Sequence, residues 1–70
     1  MDNLDLHGIR HHEVEREVEN FVLTCHFPSR IVTGNSITMK RIVENVLERY
    51  NLVGDPESDW NLGSLIIKES

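Results

Sequence analysis

The sequence predicts a small two-layer α/β sandwich with the element order β-α-β-α-β-β. Two stretches, residues 14–25 and 39–50, carry the apolar spacing of amphipathic helices. Short stretches with alternating or β-branched apolar residues flank both of them. A strand–helix–strand order implies a parallel crossover. Because each helix has one apolar stripe, we expect both helices to cover one face of a mixed sheet.

The chain of 70 residues is expected to be a single domain, residues 1–70. A domain of this size buries only about 60% of its unfolded surface, so its site must be an open face or edge. Its apolar runs are too short for a membrane span, and its first residues do not resemble a signal peptide. Cys25 is the only cysteine, which excludes an internal disulfide and favours the reducing cytoplasm.

The first strand is predicted over residues 4–7, where Leu4 and Leu6 alternate with Asp5 and His7. Gly8 then permits a sharp exit from the strand. If the leucines face the helices, Asp5 and His7 face the open side of the sheet.

The first helix is predicted from about residue 11 to residue 25. Its apolar residues, at i, i+4, i+7, i+8 and i+11, are Val14, Val18, Phe21, Val22 and Cys25. As part of this stripe, Cys25 is expected to be a small buried hydrophobe rather than a nucleophile. Pro28 disfavours helical geometry at the residue before it, so the helix ends there.

A second strand is predicted over residues 30–33, with a turn at Gly34. Asn35 or Ser36 is expected to cap the second helix. The apolar stripe of that helix is Met39, Ile42, Val43, Val46, Leu47 and Tyr50.

The last third of the chain gives weaker signals. Leu52 and Val53 form a short third strand, residues 54–61 an acidic loop rich in turn formers, and residues 63–69 the last strand. Trp60 in that loop either covers the edge of the core or stacks on a base, and the first role is favoured.

The predicted topology gathers polar groups at one edge of the sheet. Ligands of open α/β sheets bind outside the carboxyl ends of parallel strands, and helix N-termini there bind phosphate. Arg10, with three histidines nearby, and Lys40, in the first turns of the second helix, would collect at this edge. The net charge of −5 therefore does not describe this part of the surface.

"LDLHG" at residues 4–8, followed by a helix and then a strand that ends in "TGNS" at residues 33–36, resembles the Smr (small MutS-related) domain over nearly the whole chain. The second motif of that family is usually His-Gly-x-Gly or Thr-Gly-x-Gly, and here Ser36 replaces the final glycine. The resemblance implies a fold like the C-terminal domain of translation initiation factor three. It also implies nucleic-acid binding, often with nicking or endonuclease activity on DNA or RNA.

By this resemblance, Asp5 and His7 would be the catalytic residues. From the resemblance and the edge together, the expected nucleic-acid contacts are Gly8, Arg10, His11, Thr33, Gly34, Asn35, Ser36 and Lys40. Phosphodiester cleavage needs groups that take and give a proton, and side chains two apart on a strand, about 7 Å, can converge on one phosphate. One carboxylate and one histidine do not fill a metal's coordination sphere, so a divalent cation such as Mg²⁺ would take its other donors from substrate or water.

Two other hypotheses remain open from the sequence. The domain could bind nucleic acid without cutting it, with a protein partner that targets it, or it could be a protein adaptor that uses the acidic first helix. A zinc helix is disfavoured, because "HEVER" at residues 12–16 has Arg16 where the second histidine would stand.

Overall fold

The computed structural model describes residues 1–58 and 63–70. Its elements in chain order are β1 (Asp2–Asp5), α1 (His11–Thr24), β2 (Ser29–Val32), α2 (Ile37–Arg49), β3 (Leu52–Pro56) and β4 (Ser64–Glu69). This is the predicted β-α-β-α-β-β order. The prediction for Trp60 lies outside the described residues.

The four strands form one mixed sheet in the order β1-β2-β4-β3. β1 and β2 are parallel, with Asp5 opposite Val32, as the strand–helix–strand order predicts. β4 is antiparallel to both of its neighbours. The carboxyl ends of β1 and β2 therefore lie side by side, each followed by a turn and the start of a helix.

Both helices contribute their predicted stripes to one core. Leu6, Ile31 and Ile67 of the sheet are fully buried against them. The core residues from the helices are Val14, Val18, Val22, Met39, Val43, Val46 and Leu47. On the strands, the alternation that buries Ile31 turns Arg30 to the other face, where Arg30 Nη2 bonds Glu57 Oε2 at 2.8 Å.

All four strands differ from their predicted bounds, and β1 begins at Asp2 rather than at residue 4. β1 ends at Asp5 rather than His7, because the Asp5 carboxylate accepts the His7 amide and turns the chain. β2 is shifted one residue earlier, to Ser29–Val32. β4 begins at Ser64 rather than at residue 63.

β3 is longer than predicted, because Gly54 and Pro56 join it. Gly54 packs so closely on the core that an added Cβ would lie 2.9 Å from Leu47 Cδ1. Proline is tolerated in a strand at the edge of a sheet, where its missing N–H faces solvent. Neither α1 nor α2 has the length and apolar character needed to cross a membrane.

Candidate functional site at the ends of the parallel strands

The first part of the site is a tight turn that follows β1. Asp5 Oδ1 accepts the His7 amide at 2.8 Å. The Ile9 amide donates to the Leu6 carbonyl at 3.0 Å, and Gly8 has φ +82°, which glycine adopts at little cost. The Leu6 side chain is buried, while those of Asp5 and His7 are exposed. The turn therefore presents both predicted catalytic side chains to solvent.

The position of the Asp5 carboxylate differs from the expected one. Its hydrogen bond goes to the backbone of His7 rather than to the imidazole. Asp5 therefore fixes where the His7 Cα lies, through the same kind of local bond that makes Asp common in turns.

The second part is the turn after β2, which is held by a residue far along the chain. The amides of Thr33 and Gly34 donate to the Gly63 carbonyl at 2.8 and 3.0 Å. The Thr33 hydroxyl donates to the Gly34 carbonyl at 2.9 Å and approaches the Gly63 carbonyl at 3.3 Å. Thr33 is 4% exposed, so its contribution to the site is the shape of the turn rather than a ligand contact.

Gly63 is the residue of this edge that sequence reasoning missed. A Cβ there would lie 3.2 Å from Gly34 Cα, so the two backbones are in close contact. The signal that could have pointed to it is a glycine placed directly before the last strand. The bond itself joins positions about thirty residues apart and has no local signature.

Both turn glycines leave open space beside the backbone. Among residues 1–58 and 63–70, no heavy atom other than those of the glycine and its chain neighbours lies within 4 Å of the position that a Cβ would occupy on Gly8 or on Gly34, and Gly34 has φ +67°. The two turns belong to adjacent strands, joined by the Leu6 amide, which donates to the Val32 carbonyl at 3.0 Å. A ligand can therefore approach the main chain at both positions.

The two helices begin differently at this edge. Ser36 Oγ accepts the Met39 amide at 3.2 Å and caps α2, which decides between the two predicted capping residues. Asn35 is exposed. No side chain caps α1, where Arg10 occupies the N-cap position, so the first amides of α1 are free to meet water or an anion.

The basic side chains divide into two groups. Arg30, Arg49 and Lys68 form ion pairs with carboxylates. Within residues 1–58 and 63–70, the four others have no such partner: Arg10, Arg16, Lys40 and Arg41. Of these four, Arg10 and Lys40 are the two expected to contact nucleic acid.

Lys40 is expected beside Arg10 from the sequence, but it lies on the flank of α2 that faces β3. It is one helical turn before Glu44, which lines a groove beside β3. The opposite flank of α2 faces α1, where Arg49 pairs with Glu15 at 3.0 Å. The edge thus has Arg10 and His11 near the Asp5 turn, and Lys40 on the β3 side.

Other titratable and polar groups lie away from this edge. The Tyr50 hydroxyl donates to Glu19 Oε2 at 3.0 Å, and this hydrogen bond raises the pKa of Tyr50 above its usual value near 10. Cys25 is a free, half-buried thiol that donates to Ser29 Oγ at 3.6 Å. Over the part of the chain that the structure describes, no three His, Cys, Asp or Glu side chains are grouped so as to hold a metal ion.

Comparisons with known proteins add no relative. No protein-family model matches the chain, and no curated protein or solved structure matches it. The similarity to the Smr family therefore stays a prediction from the two motifs.

Proposed function

We propose that this chain is an Smr-like nucleic-acid-binding domain that grips a phosphate backbone at the carboxyl ends of β1 and β2, and that it nicks DNA or RNA there. The observation that carries the proposal is the pair of adjacent open glycine turns, one after each parallel strand and each leading into a helix. Loops of this kind let a phosphate reach backbone amides and helix N-termini.

The charges at the edge support a phosphate ligand. At the start of α1 no side chain caps the helix, and the His11 and His12 amides have no intrahelical acceptor, whereas the Glu13 amide donates to the Arg10 carbonyl at 2.9 Å. The side chains of Arg10 and His11, both exposed, adjoin this terminus. These groups lie next to the Asp5 turn, so one phosphate could contact the helix terminus while His7 faces the scissile bond.

In the proposed reaction, a water oxygen attacks phosphorus, the P–O bond to the leaving sugar oxygen breaks, and the proton of the water ends on that oxygen. The His7 imidazole either takes the proton from the water as a general base or gives one to the leaving oxygen as a general acid. Asp5 is a positioning residue, since its carboxylate holds the His7 backbone. Within the described residues, Asp5 and His7 are the side chains of this turn that could bind a divalent cation, which would take its other ligands from substrate or water. The cytoplasm, where a lone thiol stays reduced, is the proposed location.

A nicking gel tests the catalytic part of this proposal. Supercoiled plasmid and a structured RNA are incubated with wild type, His7→Ala and His26→Ala, with and without a chelator. His26 is the matched control, because its side chain is 96% exposed and it follows α1 rather than β1. We expect wild type and His26→Ala to cut and His7→Ala to have lost the activity. Normal cutting by His7→Ala would overturn the assignment.

Asp5 needs two variants, because its carboxylate has a structural contact. Asp5→Asn keeps an oxygen that accepts the His7 amide, whereas Asp5→Ala does not. We expect Asp5→Asn to keep most of the cleavage and Asp5→Ala to lose most of it. Loss in Asp5→Asn, with folding intact, would show that Asp5 acts through its charge and not through the turn.

Fluorescence anisotropy with a labelled oligonucleotide tests the binding part. Each contact between a cationic side chain and a phosphate makes the affinity fall as salt concentration rises. In a plot of log affinity against log salt concentration on duplex DNA, the slope steepens by roughly 0.9 per contact. Arg10→Ala should lower that slope by about one contact. Arg16→Ala, which removes an exposed arginine from the middle of α1, is the matched control and should leave the slope unchanged. Equal slopes in Arg10→Ala and wild type would contradict the proposed grip.

A second candidate function is binding without cleavage. It is favoured because several polar groups of this site already have hydrogen-bond partners within the fold and so are less available for chemistry. The Ser36 hydroxyl caps α2, and the Asp5 carboxylate accepts the His7 amide. The Thr33 hydroxyl donates to the Gly34 carbonyl and the Thr33 amide to the Gly63 carbonyl. Salt-dependent binding with no cleavage in any lane of the gel would select this function.

A further inference from the structure

The β3 strand forms the edge of the sheet opposite β1, and it has one paired side only. The Glu57 amide donates to the Ser64 carbonyl at 2.9 Å, and the Ser70 amide donates to the Asn51 carbonyl at 3.2 Å. Bonded and non-bonded residues alternate along an antiparallel ladder. The backbone N–H and C=O groups of the odd-numbered residues of β3 therefore bond to β4. Those of the even-numbered residues are directed away from β4.

The backbone of Leu52 and Gly54 is thus directed at the free edge. Each of these residues has an N–H and a C=O aimed away from β4, and Pro56 adds a third carbonyl without an N–H. Such a row of unpaired groups is a template for another strand. In the described part of the chain, β4 is the only strand that pairs with β3.

An open groove of about 180 Å³ lies directly beside this edge, between β3 and α2. Its lining residues are Glu44, Leu47, Glu48, Leu52, Val53 and Gly54. Leu47 is 2% exposed and belongs to the core, whereas Val53 is 37% exposed. A strand added to the edge would place alternate side chains into this groove.

The charges that line the groove indicate which kind of peptide would bind there. Glu44 and Glu48 are one helical turn apart on α2, both are exposed, and neither forms an ion pair with any described residue. Like charges at this spacing repel each other. Lys40, one turn earlier, stands at the end of the same flank and makes no ion pair with Glu44 either. The wall of the groove is therefore acidic where it faces Leu52 and Gly54.

We propose that β3 is a docking edge for an extended segment of another protein, which pairs with Leu52–Pro56 and carries small apolar residues at alternate positions and Lys or Arg beside Glu44 and Glu48. A second copy of this chain is a poorer occupant. A symmetric β3–β3 pairing would bring α2 of one copy next to α2 of the other, with four carboxylates between them and a charge of −5 on each copy. The inference does not depend on the nucleic-acid proposal, because the docking edge is the main chain of β3, whereas the proposed phosphate site is at the carboxyl ends of β1 and β2.

Selection from a library of random displayed dodecapeptides tests the chemistry of the occupant. The intact protein is the bait, and the Glu44→Lys/Glu48→Lys variant is the counter-bait. Glu13→Lys/Glu17→Lys, with the same change of charge on α1, is the matched control. We expect the wild type and the α1 variant to enrich the same alternating apolar peptides with Lys or Arg, and the α2 variant to bind them at least tenfold more weakly. No enrichment, or equal binding to the α2 variant, would overturn the proposal.

Two measurements test whether the peptide pairs with the backbone of β3: hydrogen exchange in the presence of the best selected peptide, and N-methylation of one backbone amide, which alters no side chain. On binding, the Leu52 and Gly54 amides should become at least tenfold slower in hydrogen exchange, while the Val53 and Asp55 amides, already bonded to β4, stay unchanged. Replacing Gly54 by N-methylglycine removes one outward N–H, and the chain can be assembled by ligation at Cys25. This replacement should weaken peptide binding at least tenfold with unfolding unaffected.

Two results would overturn the proposed occupant. Unchanged affinity after N-methylation would mean that the peptide does not pair with β3. Concentration-dependent dimers in sedimentation, abolished by N-methylation, would assign the edge to a second copy of the chain. Nicking and oligonucleotide binding should be the same with and without the N-methyl group, so failure here is distinguishable from failure of the proposed function.

Discussion

The cap of α2 gives the most direct test of how this edge is built. Ser36→Ala removes the oxygen that accepts the Met39 amide, and Asn35→Ala removes the neighbouring side chain, which is exposed. Loss of a serine cap costs about 0.5–2 kcal/mol of unfolding free energy, typically about 1. The bond of 3.2 Å is half-buried and neutral, which places it near the middle of that range.

In a domain of 70 residues, a loss of 1 kcal/mol lowers Tm by roughly 4–8 °C. We therefore expect Ser36→Ala to melt about 4–8 °C below wild type, and Asn35→Ala to melt within about 4 °C of it, since an exposed substitution costs within about 0.5 kcal/mol. Ser36→Gly should cost only a few tenths of a kcal/mol, because glycine is itself tolerated at the N-cap position.

Thermal unfolding followed by circular dichroism at 222 nm, with urea titrations for the free energies, measures all three variants. A larger loss in Asn35→Ala than in Ser36→Ala would refute the assignment of the cap. The same proteins then serve in the anisotropy assay. Tighter oligonucleotide binding by Ser36→Gly, at similar stability, would show that the serine restricts approach to the turn.

Three further predictions follow from single contacts. The hydrogen bond to Glu19 raises the pKa of Tyr50, so the folded state keeps the phenol proton to higher pH than the unfolded chain does. The stability that this bond contributes is therefore lost as pH rises from about 10 through the pKa of the folded state. Urea titrations should show that loss in wild type and not in Tyr50→Phe, and the only tyrosine can be followed directly by its absorbance at 295 nm. Gly63→Ala should cost about 1–3 kcal/mol, because its Cβ would press on the Gly34 backbone at 3.2 Å; a variant as stable as wild type would contradict that packing. Asp5→Ala should cost about 0.5–1.5 kcal/mol through the lost turn bond, and Asp5→Asn clearly less, as measured in urea; equal losses would mean that the bond contributes nothing.

The order of elements and the core could be predicted because both are encoded locally. The stripes that contain Val18 and Val43 indicate helices from spacing alone, and both residues are fully buried. Once a strand–helix–strand order is accepted, parallel pairing of the first two strands follows, and the end of that pair locates the candidate edge.

The details that the sequence did not predict are long-range or compete with a local preference. The alternation of apolar and polar residues extends through His7. The strand nevertheless ends at Asp5, because the Asp5 carboxylate accepts a hydrogen bond from the His7 amide. Gly54 and Pro56 look like loop residues, and they join β3 only because β4 offers partners. The bonds of the second turn to Gly63 likewise require the folded sheet.

The position of β4 in the sheet has a consequence for how the molecule is made. β4 is the last element of the chain, yet it lies between β2 and β3 and pairs with both. During synthesis, β3 has no strand to pair with until residues 64–69 have left the ribosome. Until then the core lacks the two buried side chains of β4, Leu65 and Ile67, so part of the apolar surface of the helices stays exposed to aggregation and to chaperones. Folding of this domain is therefore expected to be delayed until its last strand emerges.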